Sequence, residues 1–471
     1  MSVNRTAVRR MFVLTLVVGA VACGVLALQA GDDEARAETA APLATPVWSP
    51  RRVPQPIVDA VGAVKLQVAL DEVSGGVSAC ALVTDGNGDT VLAAHSPETP
   101  LIAASTVKVL TGVAALATLG PDHVFETAVV APGGVQDGTV NGLWLVGSGD
   151  PIMATPDYAA YLTLDPFTRA DPTTSFPALA QAIVDAGVQR VAGGITGDDS
   201  RYDDERYIPT WSPSYAEEGH VGPIGALTVN DGFASFPPPE VVPDPAVHAA
   251  TVLTELLRDR GVVVEEGPQR GGAPADAQAV ASISSLPLRD IVSIMIRGSD
   301  NLTAEMLTRE IGLQVSGEGT TAAGTQAIIT KLAELGVPTE GVALVDGSGL
   351  DRADVVPCHA LLGALDLDEH PELQAVWDGL PVAGGESGTL SERLEGTPLE
   401  GNLRAKTGSL NGVTGLTGVI DMGGRPVRFA FLANDSFDEA GGVSLRERAA
   451  TIISRFPEAP PADALVPGPD G

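Results

Sequence analysis

Leu101 to Leu119 reads LIAASTVKVLTGVAALATL, apolar on nearly every side, with Lys108 as its only charge. Such a segment predicts a buried central helix, and the rest of the fold has to be built around it. Within it, Ser105 and Lys108 stand three residues apart, one helical turn on the same face. A serine hydroxyl is a weak nucleophile at neutral pH and needs an adjacent base. A lysine serves as that base when desolvation or nearby charge lowers its pKa, and the apolar surroundings supply the desolvation.

Outward from this helix the pattern is layered. Upstream, IVDAVGAVKLQVALDEV is helical, and VSACALVTDGNGDTVLAAHS is a hairpin turning at Gly86-Asn87-Gly88. Downstream come two long helices, TAEMLTREIGLQV and TTAAGTQAIITKLAELG, then a three-strand meander, RAKTGSLNGVTGLTGVIDMGGRPVRFAFLAND, turning at Asn411-Gly412 and Gly423-Gly424. LRERAATIISRF closes the fold as a helix. Helices packed on one antiparallel sheet make an α+β architecture. Between the two flanking parts, PDHVFETAVVAPGGVQDGTVNGLWLVGSGD alternates strands and turns, and two helix-strand pairs follow, so a mixed α/β domain is inserted. The expected division is 57–124 and 281–457 for the main domain and 125–280 for the insertion.

Two further signatures follow the first in order: Ser299-Asp300-Asn301 and Lys406-Thr407-Gly408-Ser409. Each has a plain structural reading by itself. Ser-x-x-Lys is also a helix-surface pair, Ser299-Asp300-Asn301 is also a helix N-cap with Glu305 in the first turn, and Lys406 also suits the start of an edge strand. Together, and in this order, they make the set used for acyl transfer to serine.

With these motifs the chain resembles the low-molecular-mass class C penicillin-binding proteins, the D-alanyl-D-alanine carboxypeptidase/endopeptidase family that trims peptidoglycan stem peptides. GSGDP at 147–151, GDDSRYDDERY at 197–207, the Trp211 region, GALTVNDG at 225–232, DGSGLDR at 346–352, LPVAGGESGTLSERL at 380–394 and RAKTGSLNGVTGLTG at 404–418 are similar to family sequence, over most of residues 58 to 455. The fold implied is the acyl-transfer domain of penicillin-binding proteins and β-lactamases. About 190 residues separate Ser105 from Ser299, enough for a whole added domain and unlike the close spacing of class A β-lactamases. The insertion is short for family members with two extra domains, so the smallest one is expected to be reduced or absent.

The resemblance also implies roles. Ser105 attacks the carbonyl of the penultimate D-alanine, Lys108 accepts its proton and later activates water, and Ser299 passes a proton to the leaving amine. The Asn301 amide holds the substrate's peptide carbonyl, and the backbone N–H groups of Ser105 and Ser409 form the oxyanion hole. Lys406 supplies positive potential, Thr407 and Ser409 bind the terminal carboxylate, and Gly408 lets the substrate backbone lie close. β-Lactam antibiotics are expected to acylate the same serine. The alternative is a sensor or wall-binding module that acylates without turnover. Asp198, Asp199, Asp203, Asp204 and Glu205 are read as an exposed acidic loop, or as an attractor for the free amine of a cross-linking diamino acid.

Arg5, Arg9 and Arg10 precede a charge-free apolar stretch from Met11 to Gly31, with Asp32, Asp33 and Glu34 after it. That asymmetry sends the rest of the chain across a membrane, with residues 1–31 as an anchor or a signal peptide. A Pro/Ala-rich linker at 32–56 and a disordered tail at 458–471 complete the layout. The expected address is the extracytoplasmic face of a bacterial cell membrane, or the periplasm or cell wall. In the exported part, Cys80 and Cys358 are either a disulfide or two buried thiols. With 60 acidic against 28 basic residues, the net charge of −32 argues against a nucleic-acid partner. The six histidines, His220 and His359 among them, show no zinc spacing, and no metal or cofactor is expected.

Overall fold

In the computed structural model, residues 55–169 and 171–457 are described. The expected anchor or signal peptide, the 458–471 tail and all but the end of the linker lie outside the described residues. The chain enters through helix α1 (Gln55–Ser74) and forms the expected hairpin, β1 (Ser78–Asp85) and β2 (Val91–His95). It then runs into α2 (Val107–Leu119), the apolar helix that carries Lys108.

The insertion is a second, mixed sheet of β3 (Glu126–Ala131), β4 (Leu143–Val146), β5 (Ile195–Asp198), β6 (Gln269–Arg270) and β7 (Gln278–Ser284), in the order β6-β5-β4-β3-β7. Leu143, Leu145 and Ile195 of this sheet meet Phe176, Leu179 and Ile183 of α3 (Phe176–Asp185) and Leu253 and Leu257 of α4 (Pro245–Asp259) in a core of their own. Strand β7 pairs with β3 through Ser284, so the insertion's sheet ends four residues beyond the boundary expected at 280. A strand cannot be divided between two cores, and the return to the main domain therefore starts after Ser284.

The chain then adds α5 (Leu288–Gly298), α6 (Asn301–Ser316), α7 (Thr321–Glu334) and α8 (Cys358–Leu365). The meander follows as β8 (Leu403–Leu410), β9 (Val413–Asp421) and β10 (Pro426–Asn434), and α9 (Glu439–Ile453) closes the fold. The main sheet is antiparallel in the order β8-β9-β10-β1-β2, which leaves β8 on its edge. Alternation along the strands gives it two greasy faces. Cys80, Ala430 and Leu432 face α2 and its neighbours, while Val83, Phe429 and Phe431 face Leu66 and Leu70 of α1 and Leu445, Ala449 and Ile453 of α9. Helix α2 packs on α5, α6, α7 and α8, which is why it is apolar all round. Cys80 on β1 and Cys358 at the start of α8 form a disulfide with Cα atoms 5.9 Å apart, settling the alternative left open by the sequence. Residues 62–456 form one compact unit. No described helix is long and apolar enough to cross a membrane.

Candidate active site

Ser105 sits in a single tight turn, Ala104–Thr106, that feeds α2. The turn begins with Ala104 at φ 47°, a left-handed conformation that costs an alanine about 1–2 kcal/mol. Two glycines hold it there by close approach. A Cβ on Gly349, which has φ 83°, would overlap the Ala104 carbonyl, and one on Gly408 of β8 would come within 2.7 Å of the Ala103 carbonyl. The loop after α7 and the edge strand thus press on the Ser105 turn from two sides.

Lys108 follows in the first turn of α2 and is fully buried. Its Nζ lies 3.0 Å from Ser105 Oγ, 2.7 Å from Asn301 Oδ1 and 2.6 Å from the Ser348 carbonyl. Burial pulls its pKa down from 10.5 to about 8, against the pull of Asp346, Asp300, Glu305 and Asp354 in the other direction. A neutral amine fits this set of partners. Its two N–H bonds point to Asn301 and Ser348, and its lone pair is left to accept the proton of Ser105.

The second motif is divided between two helices. Ser299 ends α5 in the left-handed region at φ 63°, Asp300 caps α6 through Leu302 N and Thr303 N, and Asn301 starts that helix. The cap expected from sequence is therefore present, but Asp300 forms it and Ser299 is turned toward the third motif. Lys406 Nζ on β8 donates to Ser299 Oγ at 2.8 Å and to the Thr407 carbonyl at 2.9 Å. Burial, with Lys108 and Arg446 nearby, pushes Lys406 well below the ordinary lysine range. Thr407 Oγ1 lies 2.8 Å from Thr389 Oγ1, and Asn301 Nδ2 donates to the His220 carbonyl at 2.8 Å. Ser105, Ser299, Asn301, Thr407 and Ser409 open onto one cleft of about 1430 Å³, with Lys108 and Lys406 buried in its floor. All eight residues singled out by the motifs, Gly408 included, gather at this place.

Other groups in the wall were not assigned from sequence. Glu305 is buried in α6, where its Oε1 accepts from Gly347 N at 3.1 Å and Ser348 N at 2.8 Å, holding the carbonyl that faces Lys108. Burial and Asp346 push its carboxyl upward. Asp346 gathers the same loop, accepting from Gly349 N at 2.6 Å and Asp351 N at 2.7 Å, and takes the indole N–H of Trp211 at 2.7 Å. The DGSGLDR stretch was visible as a family-like segment, but nothing in it announced that a backbone carbonyl would be its working group. The same holds for His220, whose ring meets Glu218 and the edge of Tyr215 while its carbonyl reaches the site.

The acidic segment at and after the end of β5 is exposed only in part, Asp204 being its most open member. Asp198 and Asp199 are buried. Asp199 is gripped by Arg206 at 2.5 Å and Arg270 at 2.7 Å, Asp203 lies 2.7 Å from Arg309, and Asp204 pairs with Arg270. Asp199, Asp203 and Asp204 are thus paired with the chain's own arginines, and Asp198 accepts from Ser200 N and Ala273 N. Among the described residues no group of three or more His, Cys, Asp or Glu is disposed to hold a metal.

Residues 63–237 and 239–455 match the D-Ala-D-Ala carboxypeptidase 3 (S13) family. A D-alanyl-D-alanine carboxypeptidase of Actinomadura sp. (strain R39) is 28% identical over 84% of this chain and 85% of its own. A carboxypeptidase of Mycobacterium tuberculosis is 32% identical over 75% of this chain and 76% of its own. Among solved structures, penicillin binding protein 4 from Haemophilus influenzae superposes with a TM-score of 0.68 at 22% identity, covering 81% of this chain and 98% of that one.

Proposed function

The chain belongs to the D-Ala-D-Ala carboxypeptidase 3 (S13) family, and from that premise we propose how its side chains divide the reaction. It is a serine peptidase of the DD-carboxypeptidase/endopeptidase type, working through an acyl-enzyme. The substrate is a peptidoglycan stem peptide ending in D-alanyl-D-alanine. Ser105 Oγ adds to the penultimate carbonyl while its proton passes to neutral Lys108, 3.0 Å away. The oxyanion is held by the backbone N–H groups of Ser105 and Ser409. As the C–N bond breaks, the leaving amine takes a proton from Ser299, which Lys406 resupplies across 2.8 Å. The proton that Lys108 took from Ser105 is passed on to make good the one Ser299 and Lys406 gave to the amine, so Lys108, neutral again, takes a proton from water; the hydroxide adds to the acyl carbonyl, and the proton returns to Ser105 Oγ as the ester bond breaks and the shortened peptide leaves.

Asn301 holds the substrate's amide carbonyl by exchanging its present contact with the His220 carbonyl. Thr407 and Ser409 bind the terminal carboxylate. β-Lactams acylate Ser105 by the same first step, and cleavage of cross-links is a second activity of the cleft. The acyl-transfer domain comprises 57–124 and the chain from Ser285 to 457, with the insertion between, and the protein acts outside the cytoplasmic membrane, held or exported by its N-terminal segment. The observation that carries this reading is a fully buried amine in contact with both the nucleophile and the second motif.

The test is incubation with monomeric and cross-linked muropeptides and identification of products by mass. Steady release of D-alanine that Ser105→Ala abolishes is the expected result. Stoichiometric acylation with no release would instead favour the non-turnover sensor.

A further inference from the structure

Behind the Lys406–Ser409 strand stands a cation outside all three motifs. Arg446, on α9, is only 6% exposed, yet it borders the cleft. Its Nη1 donates to Ser409 Oγ at 2.7 Å and to the Gly408 carbonyl at 3.0 Å. The neighbouring acid, Glu447, is taken by Arg393 at 2.7 Å, and although Glu447 and Glu439 attract Arg446 from a distance, no carboxylate of the described residues makes an ion pair with it. A buried guanidinium without a carboxylate is costly to the fold. Such a cost is met when a ligand brings the missing charge.

We propose that Arg446 is a positioning residue for recognition of the substrate's terminal carboxylate, acting through Ser409. A hydroxyl that accepts from a guanidinium keeps its single proton for another partner. With its inner lone pair occupied by Arg446, Ser409 directs that proton into the cleft, toward the carboxylate of the terminal D-alanine. The inference rests on the reading of Thr407 and Ser409 as the carboxylate's donors.

Charge accounting agrees with this geometry. Burial and two neighbouring cations lower Lys406 well below the usual range. Burial lowers Arg446 only to about 10, and it remains cationic at neutral pH.

The test uses two thioesters of N-benzoyl-D-alanine, one with thioglycolate as leaving group, which bears a carboxylate, and one with ethanethiol, which does not. Both give the same acyl-enzyme, so a difference between them reports on acylation alone. Arg446→Gln and Arg446→Met are each expected to lower kcat/KM for the thioglycolate ester about 10- to 100-fold, the loss of one charge-assisted hydrogen bond, and to leave the neutral ester within about threefold. Arg446→Lys is expected to restore part of the preference. Equal losses on both esters, or an unchanged preference, would overturn the proposal. Ser409→Ala separates the two levels. If it too leaves the preference intact, the carboxylate reading of the strand has failed. If it removes the preference and the Arg446 variants do not, only the role of Arg446 has failed.

Discussion

Acylation should follow the deprotonation of Lys108. Burial lowers this amine from 10.5 to about 8. The neutral fraction is then about one tenth at pH 7 and about nine tenths at pH 9, so the second-order rate constant for acylation by a fluorescent penicillin should rise about tenfold across that interval and level off. An unperturbed lysine would give about a hundredfold rise over the same range, still climbing at pH 10. Stability carries the same signature. The unfolded chain holds the proton up to about 10.5 and the folded one only to about 8, so unfolding takes up a proton in this window and stability rises with pH through it. Relative to Lys108→Met, which cannot titrate, the wild type should gain about 2 kcal/mol between pH 8 and pH 10. Stopped-flow acylation and denaturant melts at matched pH measure the two effects. A rate that keeps rising tenfold per pH unit to pH 10, with a flat stability difference, would refute desolvation as the source of the base.

Gly349→Ala should abolish acylation or lower stability by about 2 kcal/mol or more, because both its positive φ and the Ala104 carbonyl exclude a Cβ; penicillin labelling and thermal melting will tell. Trp211→Phe removes the indole donor from buried Asp346 and should cost about 1–3 kcal/mol in denaturant unfolding, with acylation slowed because the Ser348 loop loses a tether. Replacing Cys80 and Cys358 by alanine opens a loop of 278 residues and should lower the unfolding free energy by about 3–5 kcal/mol, with wild type under reductant behaving alike.

Much of this site was legible because its chemistry is local. Ser105 and Lys108 need only one helical turn, and an all-round apolar helix announces both burial and an altered lysine. The β8–β9–β10 meander was legible from its Asn-Gly and Gly-Gly turns. What stayed hidden depends on backbone or on distance. The Ser348 and His220 carbonyls act through atoms every residue possesses. Arg446 lies in a helix whose sequence, LRERAATIISRF, looks like any charged surface helix, and only packing brings it behind Ser409. The acidic run after β5 misled for a related reason. Its partners, Arg206, Arg270 and Arg309, are up to about a hundred residues away in sequence, and composition alone reads unpaired charge as exposed charge. The boundary at 280 fell inside β7 because exposed strand and linker share the same polar alternation.

The bridge between Cys80 and Cys358 encloses the turn of Ser105, the entire insertion and the whole of α5, α6 and α7 in one covalent ring. A protease that nicks any loop inside that ring produces two polypeptides but not two particles. When the nick falls between Ser105 and Asn301, the pieces bearing them stay tethered, migrating together until thiols are added. A clipped molecule of this kind keeps its halves in register, and its working life is governed by the redox state around it as well as by the integrity of its backbone.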